Sequence, residues 1–255
     1  MTDAFTKSGS APGSAAAEAA GLRWLREGSA AVVKVFSLDD ASNTLTIEKV
    51  APARPTRAAA REAGRELAKI HAMGATAFGA APDGWEGPNF IGRVRQDCTP
   101  TERWAPFYVD QRVLPFASRA VEQGNLDCAG FDVVKRACEA LLEEDEDAPL
   151  ARIHGDLWSG NLLFSADGAR FIDPAAHGGH PLTDIAMLEF FGAPFVEEIA
   201  EGYCEAGSLR AEWRRRIPIH QLHPLAVHAQ THGPSYGDAL VRAAEETLRV
   251  VHSGV

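Results

Sequence analysis

His154, Asp156, Asn161 and Asp173 fall within one stretch, residues 152–174, which reads RIHGDLWSGNLLFSADGARFIDP. Two apolar runs, Asn161–Phe164 and Ala169–Ile172, flank a turn through Ala166-Asp167-Gly168. That pattern predicts a β-hairpin with a polar loop before it and an Asp at its far end. Closing the hairpin brings Asp173 back beside Asn161 and Asp156. An Asp, an Asn five residues on and a second Asp beyond a hairpin are the polar parts of kinase-type phosphoryl transfer. Asp156 can accept the proton of a substrate hydroxyl. Asn161 and Asp173 offer hard oxygen ligands, which suit Mg²⁺. Each residue alone is more often structural than catalytic, so the ordered set carries the reading. A metallohydrolase would need further His or carboxylate ligands by this loop, and the neighbouring sequence holds no second His-rich cluster.

The rest of the chain must position these groups. Residues 3–7 predict a short strand ending at Lys7, followed by a loop over 8–13. Ser14 is the expected N-cap of a helix over 15–26. Strands are expected at 31–36 and 44–50, where alternation at Thr44–Ile47 suits a half-buried antiparallel strand. Ala51-Pro52-Ala53-Arg54-Pro55 breaks the pattern and reads as a hinge between lobes. Residues 55–73 form an amphipathic helix ended by Gly74, with His71 expected to be a packed, hydrogen-bonded helix-end residue. Residues 75–100 are loop-rich but hold Trp85, Phe90 and Ile91, which are costly to leave in water. Trp104, Phe107 and Tyr108 form an aromatic stripe expected in the core, with Trp104 also a candidate border of the substrate cleft. Further helices are expected over 131–142, from Ile185 to Phe191, and over 195–206, 217–231 and 236–251. The acidic run 143–147 and the basic run Arg214–Arg216 read as solvated. The steps among His220, His223, His228 and His232, with Pro224 between, favour packed or exposed rings over a metal site.

Composition narrows the class. A chain of 255 residues fits one large domain or two small ones. Its net charge of −10, from 35 acidic and 25 basic residues, argues against nucleic acid or an anionic membrane as partner. No run is long and apolar enough to span a membrane, and the first residues lack a signal-peptide core. The four Cys match no zinc spacing, so reduced thiols in a cytoplasmic protein are expected. Nothing resembles a coiled coil, and oligomeric state is not legible.

HGDLWSGN at 154–161, followed by FIDPA at 171–175, resembles the fructosamine kinase (ketosamine-3-kinase) family. The wider kinase-like class shares only His-x-Asp-x-x-x-x-Asn. Trp158-Ser159-Gly160, and Asp-Pro-Ala in place of Asp-Phe-Gly, point to the narrower family. Pro88-Asn89-Phe90-Ile91-Gly92 with Gln96, and Trp104 to Pro115, are similar to further family segments. The resemblance implies an α+β, protein-kinase-like bilobal fold. Residues 1–50 would form a reduced N-terminal β lobe on the nucleotide side. Residues 51–255 would form a mostly helical C-terminal lobe with the catalytic hairpin and the substrate side.

The same resemblance implies site roles. Lys7 would hold the ATP phosphates, with Glu18 pairing to it, and Glu48 to Val50 would meet adenine. Asp184 would brace the catalytic loop, His154 would shape it, and Trp158 would face the acceptor. The implied reaction is ATP- and Mg²⁺-dependent phosphorylation of the sugar 3-hydroxyl of a ketosamine or glycated amine, a deglycation step. Two departures stand out. His180-Pro181-Leu182 replaces a charged Asp-Arg-Glu of the family. A kinase-like lobe also starts with a hairpin over the phosphates, and no residues stand before Lys7 to build one. Three expectations follow: an upstream piece, nucleotide bound under an open roof, or a pseudokinase. A kinase of another small hydroxylated substrate, similar to aminoglycoside phosphotransferases, is the further alternative.

Overall fold

The computed structural model describes residues 3–144, 147–207, 209 and 212–253. In chain order the elements are β1 (Ala4–Ser8), α1 (Ser14–Arg26), β2 (Val35–Asp39), β3 (Thr44–Glu48) and α2 (Arg57–Ala72). A small hairpin follows, β4 (Asn89–Ile91) and β5 (Val94–Gln96). Then α3 (Trp104–Phe107) runs on through a π-helical turn, Tyr108–Val113, into α4 (Leu114–Glu122), and α5 (Cys128–Glu143) follows. The remainder is β6 (Ala151–Ile153), β7 (Leu162–Ser165), β8 (Gly168–Phe171), β9 (His177–Gly179), α6 (Leu182–Phe190), α7 (Val196–Ala206), α8 (Ile217–His232) and α9 (Pro234–His252).

The chain divides into two compact units, 1–100 with 150–209, and 101–149 with 210–255. The first unit carries all the strands. Its three-stranded antiparallel sheet has the order β1-β3-β2. Phe5 and Lys7 stand opposite Ile47 and Leu45, so these four side chains share one face. Leu45 and Ile47 are buried there against α1, whose Leu22 and Leu25 are also buried. The expected strand at 31–36 splits in two. Ala31 and Val33 bond to Phe171 of β8, whereas Val35–Asp39 pairs with β3. One apolar run thus serves two sheets, a tertiary choice that alternation along the sequence does not encode. Ser14 is not the N-cap: Gly13 takes that place at φ 80°, and the Ser14 hydroxyl accepts from Ala11 N–H instead.

Helix α2 is capped by Thr56, whose hydroxyl oxygen accepts from Ala59 N–H, and its Ala60, Ala63, Leu67 and Ile70 are buried. It packs on α7 with almost no side chain between. A Cβ on Gly64 would meet Ile199 O, and one on Gly202 would meet Arg61 O, so both positions need glycine. The second unit is helical. Trp104, Tyr108 and His220 stack in its core, with Trp104 and Tyr108 at 4.8 Å between ring centroids. Trp104 is therefore buried, and the expectation that it borders a cleft is not met. Arg216 is half-buried and makes a two-pronged pair with Glu144 at 2.8 and 2.9 Å, so neither of these two is simply solvated. Asp145 and Glu146 of the acidic run lie outside the described residues. His220 and His223 are buried, as packed rings. No helix is long and apolar enough to cross a membrane among the described residues, and none of the four cysteines is in a disulfide.

Candidate active site

The predicted hairpin forms as β7–β8, with Leu162 opposite Phe171 and Phe164 opposite Ala169. Gly168, at φ 105°, makes the turn that other residues rarely adopt. Closing it places Ile172 N–H on Asn161 O at 3.1 Å and brings Asp173 to the start of β7. Asp173 itself has φ 55°, the left-handed region, which Asp tolerates better than most residues other than glycine. Pro174 and Ala176 pack on Gly21 of α1, where a Cβ would press on both side chains. The helix thus lies directly against the segment that carries Asp173.

Lys7 completes the group from β1. Its Nζ lies 2.9 Å from Glu18 Oε1 on α1 and 2.5 Å from Asp173 Oδ1. Lys7 and Glu18 meet because Lys7 lies on the sheet face against which α1 packs. Burial works to lower the Lys7 pKa, but the two carboxylates outweigh it and hold it above the ordinary value. Burial, with repulsion from Asp173, pushes Glu18 up to about 7 despite Lys7.

The loop 154–161 is fixed from within and from below. Asn161 Nδ2–H donates to Asp156 O at 2.8 Å and to Asp156 Oδ2 at 3.3 Å. His154 Nε2 meets Ile172 O at 2.9 Å, and its burial depresses its pKa, which keeps the ring neutral. Gly155 has φ 79°, and a Cβ there would strike Ala175 O. From α6, Asp184 accepts His154 N–H at 2.7 Å and Gly155 N–H at 2.9 Å. The residue expected to brace the loop makes these bonds. Burial works to raise the Asp184 pKa, but hydrogen bonds from His71 and the backbone hold it below the usual range. Asp156 shows the opposite balance: burial, then repulsion from Asp173 and Asp184, pushes it up to about 7.

A cavity of about 350 Å³ gathers Lys7, Glu18, Asp156, Trp158, Asn161 and Asp173. Ser8, Gly9 and Ser10 line it, as do Asn89, Phe90 and Gly92 from the β4–β5 hairpin. The hairpin is held there by Ser10 Oγ–H donating to Gly92 O at 2.9 Å, and by Asn89 Nδ2–H donating to Ala176 O at 2.9 Å. Glu48 and Val50 do not line this cavity. Glu48 ends β3, where it accepts from Lys34 N–H and lies 3.7 Å from Arg170.

Arg152, which sequence reasoning passed over, and Gln96, which it named only within a family-like segment, help to build the site. Arg152 is buried, donates to Trp24 O at 2.6 Å and Glu27 Oε2 at 2.8 Å, and stacks over the Trp24 ring, tying β6 to α1. Gln96 donates to Asn89 Oδ1 and so orients the amide that holds Ala176. The only sequence signal for Arg152 was a cation just before the His-Gly-Asp loop, in a run that is otherwise apolar.

The model of the family described as fructosamine kinase matches residues 6–250. The chain belongs to this family. It is an ATP-dependent phosphotransferase that acts on a hydroxyl group. A "probable ketoamine kinase" of Enterococcus faecium is 31% identical over 194 residues, covering 75% of this chain and 68% of the relative. A crystal structure of a "putative fructosamine-3-kinase" from Thermobifida fusca is 40% identical with a TM-score of 0.89, covering 97% of this chain and 86% of that one. A choline/ethanolamine kinase family protein from Mesorhizobium loti, at 18% identity and TM-score 0.57, covers 94% of this chain and 83% of its own and shares the fold. The α+β kinase-like fold expected from the sequence is therefore the fold of this chain.

Proposed function

We propose that this kinase phosphorylates the sugar 3-hydroxyl of a ketosamine, in a reaction that prepares a glycated amine for release. The observation that supports it most is the convergence of Lys7, Asp156, Asn161 and Asp173 on one cavity beside Trp158. In this reading residues 1–50 form the nucleotide side and 51–255 carry the hairpin and the acceptor. Asp156 accepts or orients the acceptor hydroxyl proton. The transfer passes through a loose transition state, so alignment counts for more than basicity. Lys7, set by Glu18, supplies a cation for the phosphates.

The donor set fits a divalent ion. Three carboxylates and one ammonium among these groups leave the cavity acidic, so a triphosphate needs added positive charge to enter. Asn161 uses its amide nitrogen on Asp156, which leaves its oxygen as the atom to offer a metal. Asn161 and Asp173 would hold Mg²⁺, which neutralises charge on the phosphates when bound. The adenine would lie by Glu48 and Val50.

The test is ADP formation from ATP with fructosyl- and ribulosyl-amines at high enzyme concentration, with Asp156→Asn as control. Turnover lost in the variant supports the reading. No turnover with any ketosamine sinks it, and turnover with other sugars or amino alcohols reassigns the acceptor.

A further inference from the structure

We infer that His71 and Tyr203 are positioning residues for the phosphoryl transfer, acting on Asp156 through Asp184. The inference rests on the reading of Asp156 given above. His71 lies at the C-terminal end of α2, buried, with one ring nitrogen on each of two partners. Its Nε2 is 3.0 Å from Asp184 Oδ2, and its Nδ1 is 2.9 Å from the Tyr203 hydroxyl on α7. Asp184 in turn takes the N–H groups of His154 and Gly155, the two residues before Asp156. A continuous path of hydrogen bonds therefore runs from Tyr203 to the loop that carries Asp156.

The path fixes one proton of the ring. Asp184 is held ionised and can only accept, so His71 must carry its proton on Nε2. Nδ1 faces the Tyr203 hydroxyl, which can accept from an N–H there or donate to a bare nitrogen. Burial raises the Tyr203 pKa and keeps that hydroxyl protonated. With Nε2–H fixed on Oδ2, the same oxygen and its neighbour Oδ1 are aimed at the two backbone amides. The glycine contact of α2 on α7, at Gly64 and Gly202, sets the spacing that lets Tyr203 reach His71. The bland alternative is a histidine that merely fills the core. That alternative does not need a carboxylate shared with the catalytic loop.

The two accounts differ in kinetics. In the full chain, His71→Leu is expected to lower kcat about 10- to 100-fold, the scale of a small misplacement of a reacting group, while KM for ATP stays close to wild type. His71→Gln, whose amide can still donate to Asp184, recovers most of that loss. Wild-type kcat in a folded His71→Leu, or a Gln variant no better than the Leu variant, overturns the inference. Should His71→Leu not fold, nitrogen-15 NMR of the wild-type imidazole decides. Nε2 protonated, with Nδ1 shifting in Tyr203→Phe, is expected; a bare Nε2 overturns it. The NMR arm needs no turnover, so failure of the kinase reading and failure of this one are distinguishable.

Discussion

Lys7 Nζ and Asp173 Oδ1 lie 2.5 Å apart, although 166 residues separate them in the chain. The same ammonium meets Glu18, so one cation bridges two carboxylates at the wall of the cavity. Without it, Glu18 and Asp173 face each other uncompensated, and the phosphates lose their nearest positive charge. Lys7→Met is expected to cut kcat/KM for ATP by about 10²- to 10³-fold, as loss of one preorganised charge-stabilising donor does elsewhere. Steady-state kinetics check this. Lys7→Arg should not rescue, because the planar guanidinium cannot occupy the point between two carboxylates as an ammonium does.

Metal dependence follows from the same contact. Lys7 already counters Asp173 in the protein alone, so the fold does not need the ion, whereas transfer does. A chelator is expected to abolish turnover, and added Mg²⁺ to restore it, with the melting temperature unmoved by either. Asn161→Ala should raise the Mg²⁺ concentration for half-maximal rate. A melting temperature that tracks the chelator would show that the metal holds the fold instead.

The catalytic hairpin was legible because its turn, apolar alternation and polar ends are all local. Lys7 and Glu18 were legible only through a family resemblance, since their meeting depends on which face of the sheet α1 packs against. The Ala31–Phe36 run was read as one strand because alternation does not say which edge each half will join. Trp104 was open to both a core and a cleft reading for a similar reason: periodicity marks an aromatic as inward without saying what it faces. Asp184 was legible as a brace through the family resemblance, but His71 looked merely packed, because its second partner, Tyr203, lies 132 residues away.

Trp158 is 42% exposed, with its ring edge-on to Phe191 at 6.3 Å and Gly160 leaving no room for a Cβ beneath it. A large apolar ring held in place beside Asp156 is an acceptor platform in this reading. Trp158→Ala is expected to raise KM for the acceptor about tenfold or more, given about 1.5–3 kcal/mol for burying a large apolar side chain. KM for ATP should hardly change. Equal effects on both substrates would remove the ring from the acceptor side.

Asp156, pushed up to about 7, makes the rate pH-dependent. The ionised form is the useful one, so kcat/KM should fall about tenfold per pH unit on the acid side of about 7. A cation arriving at Asp173 weakens the repulsion that raises Asp156. The midpoint in kcat, which reports the bound enzyme, should therefore lie at lower pH than the midpoint in kcat/KM. Matching midpoints would show that Asp156 does not sense what binds at Asp173.

The same shift makes Asp156 a cost to the fold. Its folded pKa of about 7 lies above the 3.8 of an ordinary Asp, so between these values the native state binds the extra proton. Stability then falls as pH rises through that window, and the penalty is fully present above about 7. Asp156→Asn removes the buried charge while keeping the shape. It should silence transfer yet raise the melting temperature at pH 8, by about 2–4 °C for each kcal/mol relieved in a chain of this size. The gain should shrink as the pH is lowered towards 4. Thermal melts of both proteins at pH 8, 6 and 4.5 check the sign. A variant less stable than wild type at pH 8 would mean that the carboxylate is stabilised where it lies.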